Sequence, residues 1–252
     1  MVKNFYKRIV CSCLILLGAG CDSDENGNCL LSKIETFYGS SRNTTYEVFY
    51  TEGKISALRT TVPSSGGNLE TTFFVTWDGE RLGQIIQAES GASFKEHFNY
   101  TYSGNISTVT YYKISGSDTV STVSEDEFYI ENPADGTYYF NGTAYVIEGG
   151  NVVSTAFYTV QGEQKIIEEN SYVHFAHDQG ENSLRELMRV QNFLSMGNTA
   201  ERVNSRNNIT EAYFVNGNYT RTYEFTYDNS GNILNLSDLS TGRLMVFTYQ
   251  CK

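Results

Sequence analysis

The stretch TYEFTYDNSGNILNLSDLSTGRLMVFTYQ, Thr222 to Gln250, decides the fold. In its first seven residues Tyr223, Phe225 and Tyr227 alternate with Thr222, Glu224, Thr226 and Asp228. Side chains of an extended strand point to opposite faces in turn, so one face is aromatic and the other polar. The run DNSG that follows supplies turn chemistry, because Asp and Asn side chains bond nearby backbone groups and Gly231 accepts positive φ. The chain returns through Ile233, turns again near Ser240 to Gly242, and leaves along RLMVFTY with Met245, Phe247 and Tyr249 on one side. Three short antiparallel strands result.

Four upstream stretches follow the same plan: VFYTEGKIS (Val48 to Ser56), VTWDGERLGQI (Val75 to Ile85), YTYSGNISTV (Tyr100 to Val109) and YVIEGGNVVST (Tyr145 to Thr155). Each has bulky residues, a glycine-centred turn and then an aliphatic. Aligned on that aliphatic, the copies fall at Ile55, Leu82, Ile106, Val152 and Ile233, with gaps of 27, 24, 46 and 81 residues. A unit of about 25 residues marks an array of supersecondary elements, and since no unit can bury its aromatic face alone, neighbours must cover it. YEFTYDNSGNILNL resembles the YD repeat at Tyr227, Asp228, Gly231, Asn232 and Ile233. The resemblance implies β shells, and this chain has too few copies to close one. The expected fold class is mainly β: an antiparallel meander of aromatic hairpins forming a large twisted or partly curled sheet.

One segment breaks the rhythm. In ENSLRELMRVQNFLSMG, Ser183 and Glu186 fit a capping box, Leu184, Leu187, Met188 and Leu194 line one side, and Gly197 is placed to stop a helix. The pattern predicts a helix over 184–196 packed on one face of the sheet, because an apolar stripe must be covered. The following GNTAERVNSRNN has no apolar period and reads as a loop.

The N-terminus sets the compartment. Lys3, Lys7 and Arg8 precede an apolar run from Ile9 to Leu17, then Gly18, Ala19, Gly20 and Cys21. The run is too short to span a bilayer, which takes about 20 apolar residues, and reads as a secretory leader over 1–20. LLGAGC resembles the lipobox of bacterial lipoproteins, with Leu17 one place further from the cysteine than the family's leucine. That resemblance implies that Cys21 receives lipid and anchors the chain to a membrane. The acidic DSDENGN after it has the composition of a solvated tether over 21–28. It resembles the signal that sends Bacteroidetes lipoproteins to the outer face of the outer membrane. Its spacing also imitates half of an EF-hand loop, but Lys33 stands where a bidentate Glu is required. The tether, CLLSKIETFYG, VHFAHDQGENSLRELM, NNIT, the YD hairpin and the terminal YQCK together resemble a group of Bacteroidetes surface lipoproteins. That resemblance brings no activity with it.

Residues 29–252 are then one β-rich repeat domain. Cys11 and Cys13 leave with the leader and Cys21 takes the lipid, so Cys29 and Cys251 remain. Outside the cytoplasm such a pair is expected to form a disulfide joining the chain ends, the alternative being two buried thiols.

The formal charge is −11, and loss of the three leader cations takes it to −14. Lys and Arg are scattered, so no basic face for nucleic acid is formed. His174 and His177 have H-x-x-H spacing, but on a strand they face apart, which argues against a shared metal. No nucleophile elbow, phosphate loop or dinucleotide fingerprint occurs. The carboxylate neighbours Glu125 with Asp126 and Glu168 with Glu169 face apart and read as solvated charge rather than a hydrolytic pair. No cofactor and no catalysis are expected.

Tyrosine is the unusual residue: there are 19 Tyr and 15 Phe. Planar rings on an exposed sheet face could stack on sugars, with Trp77, Tyr100, Tyr102, Tyr111, Tyr112, Tyr138 and Tyr139 as candidates. The same rings would also serve as core and cross-strand ladders. Asp118-Thr119-Val120 resembles the O-glycosylation acceptor of this bacterial group, which would make Thr119 the modified residue. The expected function is a non-catalytic, lipid-anchored outer-membrane surface protein with a binding or scaffolding role, or alternatively a glycan-binding accessory module. Its partners would be a glycan or another surface protein.

Overall fold

The computed structural model describes residues 29–39, 41–104, 106–115, 118–130, 134–190, 201–202, 204–214 and 220–251. The leader, Cys21, the acidic tether and the expected helix beyond Val190 lie outside the described residues, as do the side chains of Glu125 and Asp126. The described strands are β1 (Cys29–Tyr38), β2 (Ser41–Thr51), β3 (Lys54–Ser64), β4 (Gly67–Asp78), β5 (Arg81–Glu89), β6 (Phe94–Ser103), β7 (Ile106–Ser115) and β8 (Asp118–Phe128). There follow β9 (Gly136–Phe140), β10 (Thr143–Glu148), β11 (Asn151–Gln161), β12 (Gln164–Ile167), β13 (Val173–Glu181), the helix α1 (Arg185–Val190), β14 (Asn207–Phe214), β15 (Thr220–Tyr227), β16 (Ile233–Asp238) and β17 (Arg243–Cys251). Tyr227, Ile233 and Met245 sit on the three strands expected from the opening stretch.

All described pairings are antiparallel. From one edge the sheet runs β8 back to β1, crosses to β17, and continues β16, β15, β14, β13, β11, β10, β9. The short β12 pairs with the far half of β11. The first and last strands are therefore joined, with Cys29 opposite Cys251 and the two linked by a disulfide. The sheet is open elsewhere: among the described residues no ladder joins β8 to β9, although they are neighbours in sequence.

Strict alternation does not persist through the hairpins. Ser56 in β3, Gly83 in β5, Val153 in β11 and Leu234 in β16 are each left opposite no residue of the partner strand. An extra residue reverses the alternation beyond it. The aliphatic after each turn therefore faces the core together with the residue three places on. Ile55 and Leu58, Leu82 and Ile85, and Ile233 and Leu236 are all within 8% of complete burial. The β6–β7 hairpin carries no such shift in register. There Ile106 is 38% exposed and Ser107 takes the inner place at 0%.

The curled sheet encloses its core. The larger cluster joins the inner faces of β1 to β5 and β15 to β17 to Leu184, Leu187, Met188 and Val190 of the helical segment. A smaller cluster lies under β9 to β14, where Phe128, Tyr145, Ile147, Val152, Phe175 and Ile209 meet. The outer face is polar along rows such as Lys33, Glu47, Arg59, Thr72, Ala88 and Lys95. The stretch read as a loop is irregular at 204–206, yet its polar side chains turn inward and its end joins the sheet. Arg202, Asn204, Ser205 and Asn208 are buried, and Asn207 already begins β14. Its polar side chains replace strand partners: Asn204 Oδ1 accepts from Ile130 N at 2.6 Å while its Nδ2 donates to Phe128 O at 2.9 Å.

Candidate functional site

The β2–β3, β4–β5, β6–β7, β10–β11 and β15–β16 turns all lie at the end of the sheet that holds Cys29 and Cys251, as the antiparallel registers require. In four of the five hairpins the residue at the turn's entrance is aromatic: Tyr50, Trp77, Tyr102 and Tyr227. The repeat thus places one ring per hairpin around that end, with Tyr249 of β17 beside them, and all five pack against the larger cluster.

Some of the rings are tied across hairpins. Trp77 Nε1 donates to Ile55 O at 2.7 Å, and Tyr102 Oη donates to Leu82 O at 2.9 Å. In both cases the acceptor is the aliphatic after the preceding turn, next to a bulge that disturbs the ladder. A ring donor from one hairpin thereby completes the backbone of the one before it. Tyr227 Oη donates to Asp178 and accepts from Asn208 Nδ2. Its ring also lies so close to Gly180 that a Cβ there would fall 2.5 Å from the phenolic oxygen, so any larger residue would displace the ring.

The helical segment occupies the centre of this collar. The Arg189 guanidinium stands 3.6 Å from the Tyr129 ring centre, and its Nη2 donates to Tyr102 Oη at 3.0 Å. Glu127 Oε2 lies 3.5 Å from the same nitrogen and accepts from Ser107 Oγ at 2.9 Å. Arg185 donates to Ile130 O and stacks 5.1 Å from Tyr129. Burial raises the Tyr100 phenol, with Glu127 adding to the effect and Arg189 opposing it.

Between the collar and the helix lies a pocket of about 530 Å³. Tyr50, Trp77, Tyr129 and Tyr249 supply flat walls, and Lys54, Glu80, Ser183, Arg185 and Asn232 supply polar groups. Lys54 Nζ is 2.7 Å from Glu80 Oε1 and donates to Gly79 O at 2.6 Å, so its charge is balanced locally. Burial alone pushes the Tyr50 phenol up to about 12; burial likewise raises Tyr249 to about 12, with Asp228 and Tyr50 contributing. Both phenols are neutral at any physiological pH.

The seven rings predicted as sugar-stacking do not share one face. Trp77 lines the pocket, while Tyr100 and Tyr102 lie beneath the helix. Tyr111 faces inward, donating to Glu96 Oε1 at 3.1 Å. Tyr112 faces outward, stacked 4.9 Å from His97. Tyr138 packs on the smaller cluster, and Tyr139 meets Tyr158 edge-on at 5.0 Å under Lys165. Thr119 is exposed on β8. Tyr50, Tyr129 and Tyr249 were not among the candidates. Tyr50 was findable by its position, since it stands at the turn's entrance as Trp77 does.

Elsewhere the chemistry is structural. His174 stacks between Tyr172 and Tyr213, whereas His177 Nε2 lies 3.4 Å from Ser205 Oγ. Ser205 is fully buried, accepting from Val152 N and donating to Glu201 O, which leaves its hydroxyl no route to a substrate. Burial holds His177 down to about 4, with Asp178 opposing and Arg202 reinforcing the shift, so it is neutral near pH 7.

Among known proteins no family model matches the chain, and no curated protein does. Solved structures that resemble it in outline include two from Bacteroides. One is a porin-like protein from Bacteroides uniformis, 14% identical, covering 87% of this chain and 96% of its own, with a TM-score of 0.41. The other is a porin-like protein from Bacteroides vulgatus, 13% identical, covering 87% and 98%, with a TM-score of 0.36. Likeness at this level transfers neither mechanism nor ligand.

Proposed function

We propose that the protein is a non-catalytic binding protein, held by lipid on Cys21 at the outer face of the outer membrane, whose collar pocket takes a saccharide. The observation that carries this reading is the pocket itself. Flat aromatic walls suit the apolar faces of sugar rings, and interleaved amide, hydroxyl and paired charged groups suit their hydroxyls, the usual combination of apolar lining and few polar anchors in a ligand site. The outer face supports anchorage by lipid rather than by the sheet. A barrel that crosses a bilayer turns an apolar band outward, and an Arg or Lys there costs about 2–4 kcal/mol at mid-depth. Here the outward row carries Lys33, Glu47, Arg59 and Lys95.

The test is a glycan array probed with the full chain, with Trp77→Ala as control. Binding to a defined saccharide that the variant loses supports the reading, and silence across the array counts against it. Palmitate labelling of the wild type but not of Cys21→Ala, with protease shaving of intact cells, tests the anchor and its sidedness.

A second reading, a scaffold for another surface protein, is favoured by a different observation. Phe49, Ala57, Phe74, Ile86, His97 and Tyr112 form one continuous lateral row on the outer face. Phe49 and Phe74 are 40% and 49% exposed there. Crosslinking through that row to a single envelope protein would support the scaffold over the sugar pocket.

A further inference from the structure

The collar pocket is the middle of three adjoining cavities. A second, of about 200 Å³, shares Leu30, Leu31 and Tyr50 with it. A third, of about 380 Å³, shares Lys54, Ile55 and Trp77. Each junction is therefore marked by an aromatic ring of the repeat, Tyr50 on β2 and Trp77 on β4. The two rings stand two strands apart, and with neighbouring strands about 4.8 Å apart this is a separation of about 10 Å. Both occupy the entrance of equivalent turns, so the separation is set by the sheet rather than by loop conformation. Trp77 is also locked by its bond to Ile55 O, which fixes the ring before any ligand arrives.

We infer that the three cavities form one groove across the hairpin ends, and that its ligand is an extended, uncharged oligosaccharide with alternate sugars seated on Tyr50 and Trp77. This rests on the saccharide reading above and adds its length, its shape and its charge. The spacing is close to the advance of two sugar rings in an extended chain. A β-strand peptide repeats its same-face side chains every ~6.8 Å and fits poorly. A polyproline helix repeats at ~9.3 Å, but the groups between the rings suit hydroxyls: Ser183 and Asn232 beside the first cavity, Thr51, Ser56 and Thr76 beside the third. The absence of charge follows from the balance along the groove. Lys54 is paired with Glu80, Arg185 is engaged by Ile130 O and the Tyr129 ring, Glu52 adds a negative charge beside the third cavity, and the chain as a whole carries −11, so a polyanion would be repelled.

The experiment is calorimetric titration of the full chain with neutral linear oligosaccharides of increasing length, taken from the family that the array identifies, and with oligoproline as the competing ligand class. Affinity is expected to rise at least tenfold between disaccharide and tetrasaccharide and then level off. Tyr50→Ala is expected to flatten that rise, and Tyr50→Phe, which keeps the ring plane, to preserve it; near-UV dichroism of both variants checks that the fold is intact. Equal affinity for di- and hexasaccharide overturns the groove while leaving a single-sugar pocket. Binding of oligoproline without any glycan, or no binding of either ligand, overturns the groove and the saccharide reading together. Preference for a uronic-acid or sulfated chain overturns the stated charge.

Discussion

The sheet has two seams, one laddered and covalently joined, the other open. β1 and β17 are the first and last of the described strands, yet they pair from Cys29 with Cys251 to Tyr38 with Arg243 and are joined covalently. β8 and β9 are successive strands, yet no described ladder unites them. There the chain crosses through Phe128, Tyr129 and Ile130, which enter the interior and are held by side chains: Asn204 on the backbone of Phe128 and Ile130, and Arg185 on Ile130 O. Sequence proximity therefore does not close a sheet. A ladder needs two strands that can lie side by side with both faces satisfied, and here the neighbouring strand edges are separated by the segment that brings Tyr129 against the helix. The covalent seam brings Cys29, the collar and the pocket to one place, and the open seam admits the helical segment.

The largest effect should come from the covalent seam. Cys251→Ser opens a loop of 222 residues, for which chain entropy gives about 5 kcal/mol. Denaturant titration should show that loss, and amide exchange should rise first in β1 and β17. If β7 and β8 exchange first instead, the ranking of the seams is wrong. Next comes the bulge rule: Ile55→Ala should destabilise by about 2–4 kcal/mol as a core deletion. The matched Ile106→Ala, at a hairpin without a bulge, should change stability by less than about 0.5 kcal/mol. Equal losses would mean that the register shift does not decide which aliphatic is core.

Asn204→Ala probes the open seam. It strips two buried backbone groups of a partner, at about 1–2 kcal/mol each, and should loosen 128–130 in exchange measurements while leaving β1 and β17 protected. Trp77→Phe keeps the ring and removes one donor to Ile55 O, so about 1 kcal/mol is expected. The last test is the pH dependence at His177. The folded protein keeps His177 neutral down to about 4, whereas the unfolded chain takes up that proton near 6.5. Acidification from 6.5 towards 4 therefore favours unfolding, and stability that is complete above 6.5 declines across that window. Thermal melts of His177→Gln should show a shallower decline than the wild type.

How far the sequence could be read differs between residues for physical reasons. Tyr223, Phe225 and Tyr227 announced a strand because alternation and turn chemistry are local, and the same holds for the copies at Ile55, Leu82, Val152 and Ile233. The bulges at Ser56, Gly83, Val153 and Leu234 were not readable, because an unpaired residue exists only relative to a partner strand. The burial of Asn204 and Ser205 was not readable for a related reason. A polar side chain is buried when backbone groups elsewhere need partners, and those groups belong to residues more than fifty positions away. The candidate site was half readable: Trp77 was singled out for its ring, while Tyr50, Tyr129 and Tyr249 join it only once hairpins from both ends of the chain share one rim.

From its sequence alone this chain was bound to be an array of antiparallel aromatic hairpins with a cysteine before the first and after the last of them, since turn residues, two-residue periodicity and composition act over a few positions. Only the tertiary structure decided which rings became core, which became pocket walls, and where the sheet stays open. Those outcomes depend on register and enclosure, which are properties of segments meeting across the whole chain and have no local signature.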